Sequence, residues 1–179
     1  MFVSLHLPDH QSASEELLKL SLQFSPEVEQ TSTDTVVFSI APLRRLLGSP
    51  YQIASEICRY GEERKLQANL AIAANPDTAI LLSRNLRGVT LVTPGDEKSK
   101  LAPLPVSALF EHHTDFDPHL LETLARWGIK TCGEIADLPE TGMAERMGKA
   151  GVYLRSLAAG KVLYCKQFRT KSSTSSLVR

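Results

Sequence analysis

Val3, Leu5 and Leu7 alternate with Ser4 and His6, a period of two that predicts a strand over Phe2 to Leu7. Leu17, Leu18 and Leu22 then fall at helical spacing within Ala13 to Leu22. Val28 to Thr31 and Thr35 to Ile40 are β-rich runs around the polar Ser32-Thr33-Asp34, which predicts a hairpin. Ser49-Pro50 supplies a helix cap and a first-turn proline, and Ile53, Ile57 and Tyr60 form one stripe down the helix that follows. Leu70 to Ala73 predicts a short buried strand, Asp77 to Asn85 a helix and Val89 to Val92 another strand. Alternating strands and helices predict an α/β (α+β) sheet covered by helices.

Thr93 to Val106 interrupts this alternation with Pro94, Gly95, Pro103 and Pro105 and predicts a linker that is exposed and open to proteases. Beyond it the pattern is helical: Pro118 to Trp127 stops at Gly128, Gly133 to Leu138 stops at Pro139, and two further helices cover about 141–147 and 152–159. The expected organisation is an α/β domain over 1–105, a small all-α domain over 106–160 and a basic, disordered tail over 161–179. That tail holds five basic residues, no acid and the Ser/Thr-rich run Ser172 to Ser176.

Composition narrows the picture only a little. The 179 residues carry 20 basic and 20 acidic side chains, so net charge gives no overall pull toward nucleic acid. Cys58, Cys132 and Cys165 lack paired or metal-ligand spacing and read as reduced thiols of a cytoplasmic protein. No run is long and apolar enough to suggest a membrane span, and the apolar start is too short for a signal peptide.

Two segments carry the candidate chemistry. Leu5-His6-Leu7-Pro8 and Ser32-Thr33-Asp34-Thr35 lie at the ends of predicted neighbouring strands, and they resemble the two acid-bearing motifs of the Y-family DNA polymerase palm. The resemblance continues through Leu43-Arg44-Arg45-Leu46-Leu47-Gly48-Ser49-Pro50, Ala71 to Asp77, Thr93-Pro94-Gly95, Leu101 to Val106 and Leu124 to Ile135, in family order. It favours the ImuB-like branch, and it implies a palm-like sheet followed by a thumb-like helix-hairpin-helix domain.

The same resemblance implies that neighbouring carboxylates hold metal ions. Here Pro8 and Thr35 stand at two acid positions, Asp34 persists as a vestige, and Asp9 is offset by one residue. Two-metal phosphoryl transfer needs several carboxylates around ions roughly 3.5–4 Å apart. Family lysines that hold the triphosphate have no counterpart in Asn75 to Ile80, the gap between the palm motifs is too short for a fingers subdomain, and the chain ends where a little finger would begin.

The expectation is therefore a protein that is not an enzyme: a scaffold or accessory factor of DNA repair and translesion synthesis, with no cofactor and with Mg²⁺ relevant only to residual polymerase activity. Implied partners are DNA, bound weakly and in a salt-dependent way, a catalytic translesion polymerase and other mutasome proteins, with no membrane. DNA-contact candidates are Lys130 and Thr131 in the helical part, with Lys161, Lys166, Arg169 and Lys171 in the tail. Thr114 to His119 is expected to replace the family's glycine hairpin poorly, because it has two acids and Pro118. The alternatives are a small helix-hairpin-helix DNA-binding protein and a residual polymerase fragment. Plainer readings stand beside these: Asp34 as a turn aspartate, His6 as a structural histidine, and His112, His113 and His119 with Asp115 and Asp117 as a polar loop without zinc spacing.

Overall fold

The computed structural model describes residues 1–8, 14–112 and 116–161. It is a mixed α/β fold built on one five-stranded sheet. The strands are β1 (Phe2–His6), β2 (Val28–Ser32), β3 (Thr35–Ser39), β4 (Asn69–Ala73) and β5 (Val89–Leu91), in the order β2-β3-β1-β4-β5. β1 lies antiparallel between β3 and β4, with Val3 opposite Phe38 and Ile72, and β4 runs parallel to β5. The parallel pair is joined through a helix, α4 (Pro76–Asn85), as a parallel connection requires.

Both faces of the sheet are covered, and the alternation seen in the sequence sorts side chains between them. Val3, Leu5, Val36, Phe38, Leu70 and Ile72 meet α1 (Ser14–Leu22) and α3 (Pro50–Glu63) through Leu17, Leu20, Ile53 and Ile57. Ala71 and Ala73 turn the other way, into a second core with Ala79, Leu81 and Leu82 of α4. All five residues of β4 are buried, as expected of a strand covered on both sides. The predicted cap of α3 is present: Ser49 and Gln52 form a reciprocal capping box, followed by Pro50 in the first turn.

The second core continues into the helical part: α6 (Ser107–His112), α7 (Pro118–Arg126), α8 (Cys132–Asp137) and α9 (Glu140–Ala158). Leu109, Leu124, Ile135, Met143, Leu154 and Leu157 share one apolar cluster with Ala71 and Leu82. The segment expected as an exposed linker is part of this cluster. It contains α5 (Glu97–Leu101), and Leu101, Leu104 and Val106 are buried. Hydrogen bonds from Val106 N–H to the Lys130 carbonyl, from Cys132 N–H to the Leu104 carbonyl and from Gly133 N–H to the Ala102 carbonyl fasten it to the start of α8. Its prolines mark turns in a packed connection, because proline removes a donor without requiring exposure. Leu43 leads into a short helix, α2 (Arg44–Leu47).

The two helices expected over 141–147 and 152–159 are present as the two halves of α9, separated by a kink at Gly148, with φ 58° and ψ −148°. Glycine alone occupies that region without strain. At Gly151 the two halves of α9 close in: a Cβ there would lie 2.5 Å from Met147 Cβ and 2.9 Å from the Met143 carbonyl oxygen. Arg155 ties the second half back to the α8–α9 junction, donating to the Leu138 carbonyl and, at 3.2 Å, to Glu140. The expected tail lies outside the described residues apart from Lys161, which is exposed.

Candidate functional site

Strand pairing brings the two motifs together. His6 is in register with Thr35 across β1 and β3, and Leu7 N–H donates to the Asp34 carbonyl at 2.9 Å, so Pro8 follows beside the β2–β3 turn. Asp34 is the centre of a polar network. Ser32 Oγ and Thr35 Oγ1, the latter at 2.8 Å, both donate to Asp34 Oδ1. Because the single Thr35 hydroxyl proton is committed to Asp34, His6 Nδ1, 3.1 Å away, is the donor to Thr35. His6 is thus a satisfied, nearly buried histidine, as the plainer reading has it.

The network also includes a cation from outside the motifs. Arg84, in the last turn of α4, places Nη2 3.1 Å from Ser32 Oγ and 3.5 Å from Asp34 Oδ1. Burial pulls the Asp34 carboxyl upward, but hydrogen bonds from Ser32 and Thr35 and the charges of His6 and Arg84 outweigh it and hold the group below its ordinary range. Burial is the main cause lowering His6, with Arg84 adding to it and Asp34 opposing. Thr35 is fully buried, so a carboxylate at its place would sit inside the network rather than in solvent.

Among the described residues no three His, Cys, Asp or Glu side chains converge, and Asp34 Oδ1 already serves two hydroxyls and faces Arg84. Asp34 with Thr35 and Pro8 does not fit a pair of ions, which hard cations and two-metal sites would meet with several oxygen ligands. Asp9 lies outside the described residues.

On the helical side, Thr131 caps α8 in a capping box with Glu134. Lys130 and Thr131 N–H groups both donate to Glu134 Oε2, at 2.7 and 2.9 Å, and these bonds hold the Glu134 carboxyl below its ordinary range. A phosphate arriving at these two groups meets a carboxylate already in place. Lys130 itself is exposed. Thr114 and Asp115 lie outside the described residues, and the rest of that stretch is a helix start, with Asp117 accepting from His119 N–H and Pro118 opening α7. Gly148 kinks α9, and the exposed Lys149 opens its second half. His113 and Asp115 of the polar loop also lie outside the described residues, as do Lys166, Arg169 and Lys171 of the tail.

Comparison with known proteins follows the same geometry. Residues 1–84, which hold the network from His6 to Arg84, match the impB/mucB/samB family. The DNA polymerase IV of Clostridium kluyveri is 27% identical over 159 residues, 86% of this chain and 39% of that protein. DNA polymerase IV 2 of Mesorhizobium japonicum is 30% identical over 162 residues, 88% of this chain and 38% of that protein. The chain is similar to these DNA polymerase IV proteins over most of its length. It spans less than half the length of these curated relatives.

The fold of this chain agrees with solved structures. DinB from Sulfolobus solfataricus superposes with a TM-score of 0.60 at 17% identity, over 84% of this chain and 44% of that one. An insertion ternary complex of Dbh DNA polymerase superposes with 0.60 at 19%, over 85% and 44%. Two expectations are corrected here. The reading as a protein that is not an enzyme is overturned by curated relatives that are named as polymerases and match both the sheet and the helical part. The expectation of no cofactor falls with it, on the same relatives named DNA polymerase IV. No helix among the described residues is long and apolar enough to cross a membrane.

Proposed function

We propose that the chain acts in DNA repair by translesion synthesis, as the palm-like (1–105) and thumb-like (106–160) portion of a DNA polymerase IV-type activity. The observation that carries the reading is the single continuous match to DNA polymerase IV, 162 residues in one case, running from the sheet through the helices. DNA is the proposed partner and the cytoplasm the proposed compartment. Lys130, Lys149 and Lys161 are exposed cations of the helical part that suit phosphate contact. With a net charge of zero, binding should be weak and fall with salt. The apolar cluster shared between sheet and helices counts against a free-standing helix-hairpin-helix module.

One observation favours a second role within the same process. Pro8 and Thr35 stand at the acid positions of the resemblance, which suits an ImuB-like scaffold or accessory factor working beside a separate translesion polymerase. The test is primer extension by the purified chain with Mg²⁺ or Mn²⁺, alone and with a partner polymerase, alongside DNA binding at several salt concentrations. Template-directed incorporation that Asp34→Asn abolishes supports the polymerase reading, and stimulation or co-purification of the partner supports the accessory role. No incorporation, no stimulation and no DNA binding at low salt would refute both.

A further inference from the structure

We propose that Trp127 and Arg146 form a stacking platform for an unpaired DNA base on the surface of the helical part. Trp127 closes α7, where its N–H is taken by the Thr123 and Leu124 carbonyls, and Gly128 then turns the chain away with φ 76°. The indole stays outside the cluster that buries Leu124 and Ile135, with 39% of its surface in water. Arg146, from the first half of α9, lies over the ring with its guanidinium carbon 5.4 Å from the ring centroid, within the range of a cation–π contact. Arg146 is itself exposed, so the face it covers opens when its side chain swings aside.

The surroundings suit a polyanion. Arg126, Lys130 and Lys149 are exposed on the same two helices and on the turn between α7 and α8. The Glu134 carboxylate is occupied by the Lys130 and Thr131 N–H groups, and Glu145 precedes Arg146 on a helix, where adjacent residues do not share a face. Cations alone would accept any phosphate backbone; the indole discriminates. A base inside a duplex is stacked on both faces by its neighbours, whereas an unpaired base can lie on an aromatic ring whatever its identity. A guanidinium displaced from the ring can pair with the phosphate of the same nucleotide. The choice of DNA rests on the proposed function, but stacking is read on a strand with no primer end and no nucleotide, so its failure is distinguishable from a failure of synthesis.

Trp127 is the one tryptophan of the chain, so its fluorescence reports this site alone. The full chain is titrated at low salt with a single-stranded oligothymidylate, a blunt duplex, and an abasic oligomer with as many phosphates as the single strand. The single strand should quench the indole emission, and the duplex and the abasic oligomer should not. By anisotropy of the labelled single strand, Trp127→Leu should weaken binding about tenfold, the size expected for one stacked base, and Trp127→Phe should restore most of it. Arg146→Gln should weaken binding less and flatten the slope of log affinity against log salt by roughly 0.7, one phosphate contact on a single strand. Quenching by the duplex or the abasic oligomer equal to that by the single strand would overturn the proposal, and so would unchanged affinity in Trp127→Leu. Absence of quenching by the single strand would overturn it even where the chain binds duplex DNA.

Discussion

Leu101→Ala tests whether the proline-containing connection belongs to one cooperative core. Leu101 is fully buried at the end of α5, which packs between α4 of the sheet layer and α8 of the helical part. Deleting three buried carbons there should cost between about 2.7 and 5 kcal/mol, the size depending on how far neighbours collapse into the space. Collapse is restrained, because three hydrogen bonds hold residues 102–106 against 130–133 on one side and the sheet backs the other. The upper half of that range is therefore expected. In urea, with a slope of about 2 kcal/mol per molar, the midpoint should fall by roughly 2 M. Trp127, the one tryptophan, reports the helical part by fluorescence, while far-UV circular dichroism reports sheet and helices together. Both probes should give one coincident transition before and after the substitution. Separate transitions, or a cost below about 1 kcal/mol, would refute the argument that the core runs through the connection.

The other expected outcomes concern single residues. Gly148→Ala should lower stability by roughly 1–3 kcal/mol from backbone strain alone, since a Cβ there meets nothing within 4 Å; an unchanged thermal midpoint would show that the break in α9 can relax. Thr131→Ala removes one side of the α8 capping box and should cost about 1 kcal/mol, seen as a fall of roughly 2–4 °C in Tm. His6 and Asp34 both have folded pKa values below their unfolded ones, so the stability they contribute is complete above the unfolded values and is lost as pH falls through the folded ones. Denaturation midpoints should accordingly decline on acidification below about pH 6.5 and again below about pH 4, with the second step smaller in Asp34→Asn because Glu134 still contributes to it. A midpoint that rises between pH 7 and 5 would contradict this.

Much of the sheet was legible because its signals are local. Period-two runs fixed β1 and β3, turn residues at 32–34 fixed the hairpin, and Ser49-Pro50 fixed the start of α3. Each predicted strand came within a residue or two of its observed ends. The connection at 93–106 was misread because proline and glycine report backbone geometry, whereas the burial of Leu101, Leu104 and Val106 depends on helices tens of residues away. α5 and α6, of five and six residues, are also too short to show a helical period. The two halves of α9 carried their own periods, and the break between them at Gly148 lies where the pattern separates them.

The site divides along the same line. The neighbourhood of His6, Pro8, Asp34 and Thr35 follows from strand pairing and could be expected from the motifs. Arg84 could not, because it lies 52 residues from Ser32 and reaches it only through the packing of α4 on the sheet. A search for cations confined to Asn75 to Ile80 stops one helical turn too soon. The consequence is electrostatic. Judged by its missing acids alone, the motif network is a depleted metal site, but with Arg84 included it is a neutralised and internally satisfied one. Restoring Thr35→Glu then has a definite cost. The new carboxylate would be buried at a position with no exposure and would share one guanidinium with Asp34. Two carboxylates on one cation should destabilise the metal-free chain and make its stability rise with added Mn²⁺, since a ligand that binds only the folded form shifts unfolding by mass action. A Thr35→Glu chain as stable as wild type, and indifferent to Mn²⁺ in thermal unfolding, would mean that this face has room for charge that the observed network does not show.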